Sequence, residues 1–159
     1  MNNLSLPVKI LIAVLLCLGI GAASGIVTTN AINTWYTTLN KPSFNPPNWI
    51  FAPVWTTLYA MMGIAAALIW HEGWEKKVVK NALLFFGIQL FLNAMWSIIF
   101  FGWKQPAFAL VEIILLWSVL LACILKFKAI KPLAAYLLIP YLLWVTFASF
   151  LNGAIWWLN

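Results

Sequence analysis

The sequence predicts an all-α integral membrane protein: a bundle of five transmembrane helices with a structured loop between helices 1 and 2. Three observations carry that prediction. Hydrophobic residues make up 65% of the 159 residues and charged residues only 8%, where soluble domains carry roughly a quarter. Apolar runs of about 20 residues, enough helix to cross a bilayer, recur along the chain. The nine basic residues are all lysines, and they fall between those runs or at their ends.

Taken in order, residues 6–28 form the first helix. Its Lys9, apolar run and Ala22-Ala23-Ser24 imitate a signal peptide with a cleavage site, but it is read as a retained span. Gly21-x-x-x-Gly25 gives it a smooth face for close approach of another helix. The second helix covers 47–70, with Pro46 and Pro47 at its start, where a missing N–H costs little. Pro53 is expected to kink that helix or loosen its first part. The third helix covers 78–101, the fourth 107–127 and the fifth 133–157, with Pro140 bending the last. Residues 1–159 are thus read as a single membrane domain.

Lysine placement sets the expected orientation. Lys9, Lys76, Lys77, Lys80, Lys126, Lys128 and Lys131 fall on the N-terminal side, and only Lys41 and Lys104 on the other. The positive-inside rule then places the N-terminus in the cytoplasm and the C-terminus outside, in a multi-pass arrangement. The net charge of +6 is explained by topology, since no basic stripe or recognition motif for nucleic acid is present. Cys17 and Cys123 lie inside apolar runs and read as small buried hydrophobes. With the lone His71 they cannot make a metal site, so no metal is expected and no cofactor is required.

The stretch Trp35–Tyr59 is the long polar, proline-rich interruption. Residues 35–48 are stiffened by Pro42, Pro46 and Pro47 and read as a cover, and Trp49 to Tyr59 as a wall descending into the membrane. Polar residues within spans gather beneath it. At about 1.5 Å per helical residue, Asn152 lies roughly 7 Å from the loop side, Glu112 roughly 9 Å, Asn93 roughly 12 Å and Gln89 about 18 Å. Such residues are expensive in lipid, so the asymmetry points to a cavity on the loop side. Helical spacing aligns Phe51, Trp55 and Tyr59 on the second helix, and Gln89, Asn93 and Trp96 on the third. Trp144, Ala148 and Asn152 align on the fifth, with Tyr141 one turn below. Converging, these stripes would make a mostly apolar pocket with a few polar anchors, suited to a flat hydrophobic ligand. Trp35, Trp49, Trp70, Trp74, Trp103, Trp156 and Trp157 also fit an interfacial aromatic belt, and Trp117 reads as lipid-facing. Trp55 and Trp144 lie too deep for a belt. Glu112 reads equally as a ligand anchor or as a charge favoured by a helix N-terminus.

Several motifs then carry a resemblance. Trp35-Tyr36, Leu39-Asn40-Lys41-Pro42, Asn45-Pro46-Pro47-Asn48-Trp49, Pro53-x-Trp55-x-x-Leu58-Tyr59, Leu92-Asn93-x-x-Trp96-Ser97 and Phe100-Phe101-Gly102 resemble the translocator protein/tryptophan-rich sensory protein family (TspO/MBR), in a bacterial form. The resemblance covers nearly the whole chain. It implies a five-helix bundle, often a homodimer, that binds porphyrins such as protoporphyrin IX and benzodiazepine- or isoquinoline-type ligands beneath the loop 29–46. Carried over by position, the family's pocket maps to Trp49, Trp55, Asn93, Trp144 and Ala148. The resemblance also implies stress signalling and light- and oxygen-dependent porphyrin degradation, for which Trp55 and Trp144 are the candidate reactive residues. Animal members carry a cholesterol-recognition motif late in the fifth helix, with a Tyr followed by a basic residue. Residues 149–159 hold neither, so sterol binding by that route is not carried over.

Two other functions compete with a receptor or sensor. A porphyrin transporter would be expected to show inverted repeats or a matched pair of broken helices, and neither pattern is found. A non-catalytic membrane interaction partner rests only on the Gly21/Gly25 face.

Overall fold

The computed structural model describes residues 4–159, and within them α1 spans Leu6–Ile32, α2 Trp35–Thr38, α3 Phe51–His71, α4 Lys77–Ser97, α5 Pro106–Ile130 and α6 Pro132–Leu158. A 3-10 turn, Asn48–Ile50, leads into α3, and a π-helical turn, Ile98–Gly102, extends α4. The spans Leu6–Ile32, Asn48–His71, Lys77–Gly102, Pro106–Ile130 and Pro132–Leu158 are each long and apolar enough to cross a membrane. The expected five-helix architecture is present.

Helix starts follow proline placement. Pro106 and Pro132 open α5 and α6, where the absent N–H leaves no acceptor unsatisfied. Gly73 adopts φ 122° between α3 and α4, a turn conformation that a side chain would strain. Pro53 meets the second of its two expected outcomes. It is the third residue of α3, so it sits in the first turn, where its N–H would have no intrahelical partner, and the loosened part is the 3-10 turn before it. Pro140 does lie inside α6.

The helix bounds correct the expected loop. Residues 29–46 are not all loop, because α1 continues to Ile32 and Trp35–Thr38 adds a helical turn. The Thr-Thr-Asn sequence after Val27 reads as polar, but the hydroxyls of Thr28 and Thr29 donate to the carbonyls of Ser24 and Gly25 at 3.3 and 2.8 Å. Those bonds let the helix carry hydroxyls without exposing unsatisfied groups.

Two glycines fix how α1 meets α3. A Cβ on Gly63 would lie 2.5 Å from Val14 Cα, and one on Gly21 would lie 2.5 Å from the Tyr59 ring. Backbones therefore touch toward the lysine-rich end of the bundle. Four residues beyond Gly21, a Cβ on Gly25 would meet nothing within 4 Å. The two helices part there, and a cavity fills the gap. The main core, built around Met62, Leu120, Phe127 and Leu138, lies below it, and a smaller core around Tyr36, Phe100 and Phe101 lies at the loop end.

The loop is tied down at this end of the bundle. The Asn40 backbone N–H donates to Asn159 Oδ1 at 2.9 Å, and Asn159 Nδ2 donates back to the Asn40 carbonyl at 3.0 Å. Tyr36 Oη donates to Asn45 Oδ1 at 2.6 Å.

Candidate ligand pocket

The cavity measures about 990 Å³, at the upper end of the roughly 300–1,000 Å³ typical of small-molecule sites. One wall comes from α3, where Phe51, Trp55 and Tyr59 stack at four-residue intervals. The facing wall comes from α6 through Trp144, Ala148 and Asn152, and Trp96 and Phe100 close the back. Trp49 stands at the rim, 73% exposed. None of the lining residues is an acid, a lysine or a histidine.

The aromatic wall is continuous. Trp55 meets Tyr59, Tyr141 and Trp144 at centroid distances of 5.7, 6.2 and 6.4 Å. Trp144 meets Phe51 at 6.2 Å, and Phe51 meets Tyr36 at 6.4 Å. Most of these pairs are edge-to-face, the geometry that the ring quadrupoles favour. The π-helical turn adds to the far wall. Both Phe100 and Phe101 are buried against the cavity and Tyr36, although neighbouring residues of a regular helix point about 100° apart.

Polar groups near the cavity are largely engaged within the bundle. Tyr59 Oη donates to Asn93 Oδ1 at 2.5 Å, and Asn93 Nδ2 donates to Tyr141 Oη at 2.5 Å. That chain joins α3, α4 and α6 below the cavity floor. Asn152 accepts from Trp96 Nε1 at 3.1 Å and donates to the Pro106 carbonyl at 2.8 Å, which joins α4, α5 and α6. Thr28, Thr29 and Thr56 each donate to a carbonyl four residues back. The indole N–H groups of Trp55 and Trp144 have no hydrogen-bond partner among the described residues. Both are free to donate into the cavity.

Of the sequence-predicted site residues, Trp49, Trp55, Tyr59, Trp96, Trp144, Ala148 and Asn152 border the cavity. Asn93 and Tyr141 do not. They are buried beneath Tyr59 and hold it in place. Glu112 does not border the cavity either, and it lies beyond the first turn of α5. Neither the anchor nor the helix-terminus explanation fits it, and both carboxylate oxygens are buried without a hydrogen-bond partner among the described residues. Gln89 is fully buried, with Nε2 3.8 Å from Met62 Sδ. Trp117 is not simply lipid-facing, because its Nε1 donates to Thr146 Oγ1 at 2.9 Å and links α5 to α6.

Tyr36 was missed as a site residue. It lines the cavity while 1% exposed, and Lys41 Nζ lies 5.2 Å from its ring centroid. Burial pushes its phenol up to about 12, so it stays a neutral donor to Asn45. Its place in the Trp35-Tyr36 pair was visible in the sequence, but its inward direction was not.

The sequence that builds this five-span bundle and its tryptophan-walled cavity matches a known family. Its model, the TspO/MBR family, matches residues 13–158. The chain belongs to the TspO/MBR family. It is 47% identical over 144 residues to the tryptophan-rich protein TspO of Chlorobaculum tepidum, covering 91% of each chain. It is 43% identical over 153 residues to the protein of that name from Archaeoglobus fulgidus, covering 95% of this chain and 97% of the other. The human translocator protein is 44% identical over 124 residues, 77% of this chain and 73% of its own. The protein is therefore an integral membrane member of the TspO/MBR family.

Proposed function

We infer that the chain is a membrane receptor or sensor for flat hydrophobic ligands, with protoporphyrin IX and benzodiazepine- or isoquinoline-type molecules as the ligand classes. The observation that carries this reading is the uncharged, aromatic-walled cavity of about 990 Å³ under a tethered loop. A tetrapyrrole would lie with its ring faces against Trp55, Trp144 and Phe51. Its carboxylates would point to the rim, where Asn30, Asn33 and Asn48 supply amides, because a buried unpaired charge is too costly inside.

The reading extends to a slow photochemical activity. A porphyrin excited by light and held against two indoles would pass energy or an electron to dissolved O2, and the reactive oxygen so formed would oxidise and open the macrocycle, with Trp55 and Trp144 as the wall groups placed to take part in the electron transfer. A homodimer with a cytoplasmic N-terminus completes the proposal, the orientation resting on lysine placement.

The test is a porphyrin absorbance titration of the purified protein in the dark, followed by illumination. The reading expects saturable binding, then a new product that Trp55→Phe or Trp144→Phe suppresses. Wild-type protein that produces no saturable spectral change would refute the receptor reading. Product formation unchanged in both variants would refute the role given to the two tryptophans.

A further inference from the structure

The cavity has two sides through which a ligand could pass, and they differ in construction. Toward the loop end, the segment 39–47 packs through Phe44 on the cavity-lining Phe147 and is held by the Asn40–Asn159 pair and the Tyr36–Asn45 bond. Toward the side, the gap between α1 and α3 is bordered by cavity-lining residues that are themselves exposed: Ala22, Ile26 and Thr29 on α1, and Ala52 and Thr56 on α3. Their spacings of three and four residues put each set on one helix edge. Counting from the loop-side ends of the two spans, Ile32 and Asn48, Ala22 lies about 15 Å deep and Thr56 about 12 Å deep. Those depths fall within the hydrocarbon of one leaflet.

Apart from Ile26, the side chains that flank the gap are small, and Gly25 leaves open space beside it. Its lower end is fixed by the Gly63–Val14 and Gly21–Tyr59 contacts, so the opening is a wedge with a rigid apex. The hydroxyls on its lips donate to their own helices, Thr29 to Gly25 at 2.8 Å and Thr56 to Ala52 at 2.9 Å. The lips therefore present methyl groups and no free donors to an apolar molecule.

We propose that ligands enter and leave sideways, from the bilayer, through the α1–α3 wedge between Ala22/Ile26 and Ala52/Thr56, while the loop stays shut. The inference rests on the ligand-pocket reading above. A hydrophobic ligand concentrates in the bilayer first, and the wedge accepts it there without breaking the loop's hydrogen bonds.

The test uses stopped-flow Soret absorbance of protoporphyrin IX binding to the full chain in lipid nanodiscs. Narrowing the wedge from either helix, by Ala22→Phe or Thr56→Phe, is expected to lower association and dissociation rates together, each by tenfold or more. Their ratio should move far less than either rate, as for a blocked passage rather than a damaged wall. Two variants on opposite helices guard against one that misfolds, and thermal melting verifies both. Releasing the loop with Asn40→Ala is expected to leave both rates within about twofold of wild type. Wild-type rates in both Phe variants, or a tenfold acceleration by Asn40→Ala, would overturn the sideways route. Absence of saturable binding by the unmodified protein would instead overturn the pocket reading on which it rests.

Discussion

Tyr59 and Asn93 meet across α3 and α4 at 2.5 Å, the phenol donating to the amide oxygen, and both side chains are buried. The same amide donates onward to Tyr141 on α6, so one Asn side chain secures three helices and sets the height of the cavity floor. Asn93→Ala should cost about 1–3 kcal/mol, since it leaves two phenols without their partner in a water-poor interior. Tyr59→Phe should cost less, because only the amide oxygen loses its donor. A double-mutant cycle on thermal stability should return a coupling of at least about 0.5 kcal/mol. Purely additive effects would mean that the hydrogen bond contributes nothing.

The glycines of α1 and α3 should respond to the same substitution with opposite signs. Gly63→Ala places a methyl 2.5 Å from Val14 Cα, and backbone cannot yield as a side-chain tip can. Forcing α1 away should destabilise the bundle by about 1–3 kcal/mol. Gly25→Ala meets no atom within 4 Å and gains helix propensity, so it should be neutral or stabilising by up to about 1 kcal/mol. Thermal melts of the two variants in one detergent decide the matter, and equal shifts would refute the packing account.

These glycines also show what the sequence could convey. The Gly21–Gly25 spacing suggested a contact face, but the two residues do different things: Gly21 receives the Tyr59 ring and Gly25 borders the cavity. Gly63, which makes the closer backbone contact, stands alone in an apolar run where no local pattern flags it. Stripes such as Trp144, Ala148 and Asn152 were legible because helical periodicity aligns them within one segment. Partners across helices were not, so Asn93 was expected in the pocket and instead supports it from beneath. The end of α1 was placed at residue 28, four residues short of Ile32, because Thr29 and Asn30 open the polar stretch, while the Thr28 and Thr29 hydroxyls bond within the helix. Tyr36 escaped because a proline-rich segment has no period from which an inward face can be read.

Trp55 and Trp144 both carry a free indole donor, but their packing gives them separable roles. Trp55 sits centrally, against Tyr59, Tyr141 and Trp144, so Trp55→Phe should loosen the wall as well as remove an N–H. It should weaken dark porphyrin binding about tenfold, near 1.4 kcal/mol. Trp144 also packs on three rings, Trp55, Phe51 and Phe147, but none of them belongs to the Tyr59–Asn93–Tyr141 chain that holds the cavity floor. Trp144→Phe should therefore weaken binding less, by threefold or so. Absorbance titrations would refute this ordering if Trp144→Phe proved the more damaging.

At the lysine-rich end, Lys131 Nζ meets Glu72 Oε1 at 2.6 Å, joining the residue that caps α3 to the single residue between α5 and α6. The hydrogen bond from Lys131 holds the Glu72 carboxyl below the usual carboxylate range. A carboxyl whose folded pKa is depressed binds protons more tightly when unfolded. Its stabilising contribution is then present above the unfolded value near 4.3 and is lost as pH falls through the lower folded value. Both side chains are about one-third exposed, so screening limits the contribution to at most about 1 kcal/mol. Glu72→Gln should lower thermal stability slightly at pH 7, and the gap from wild type should close as the pH is taken below the folded pKa. It should also shrink in high salt. A difference between wild type and Glu72→Gln that stayed constant from pH 7 into that acidic range would show that the ion pair does not hold these two ends together.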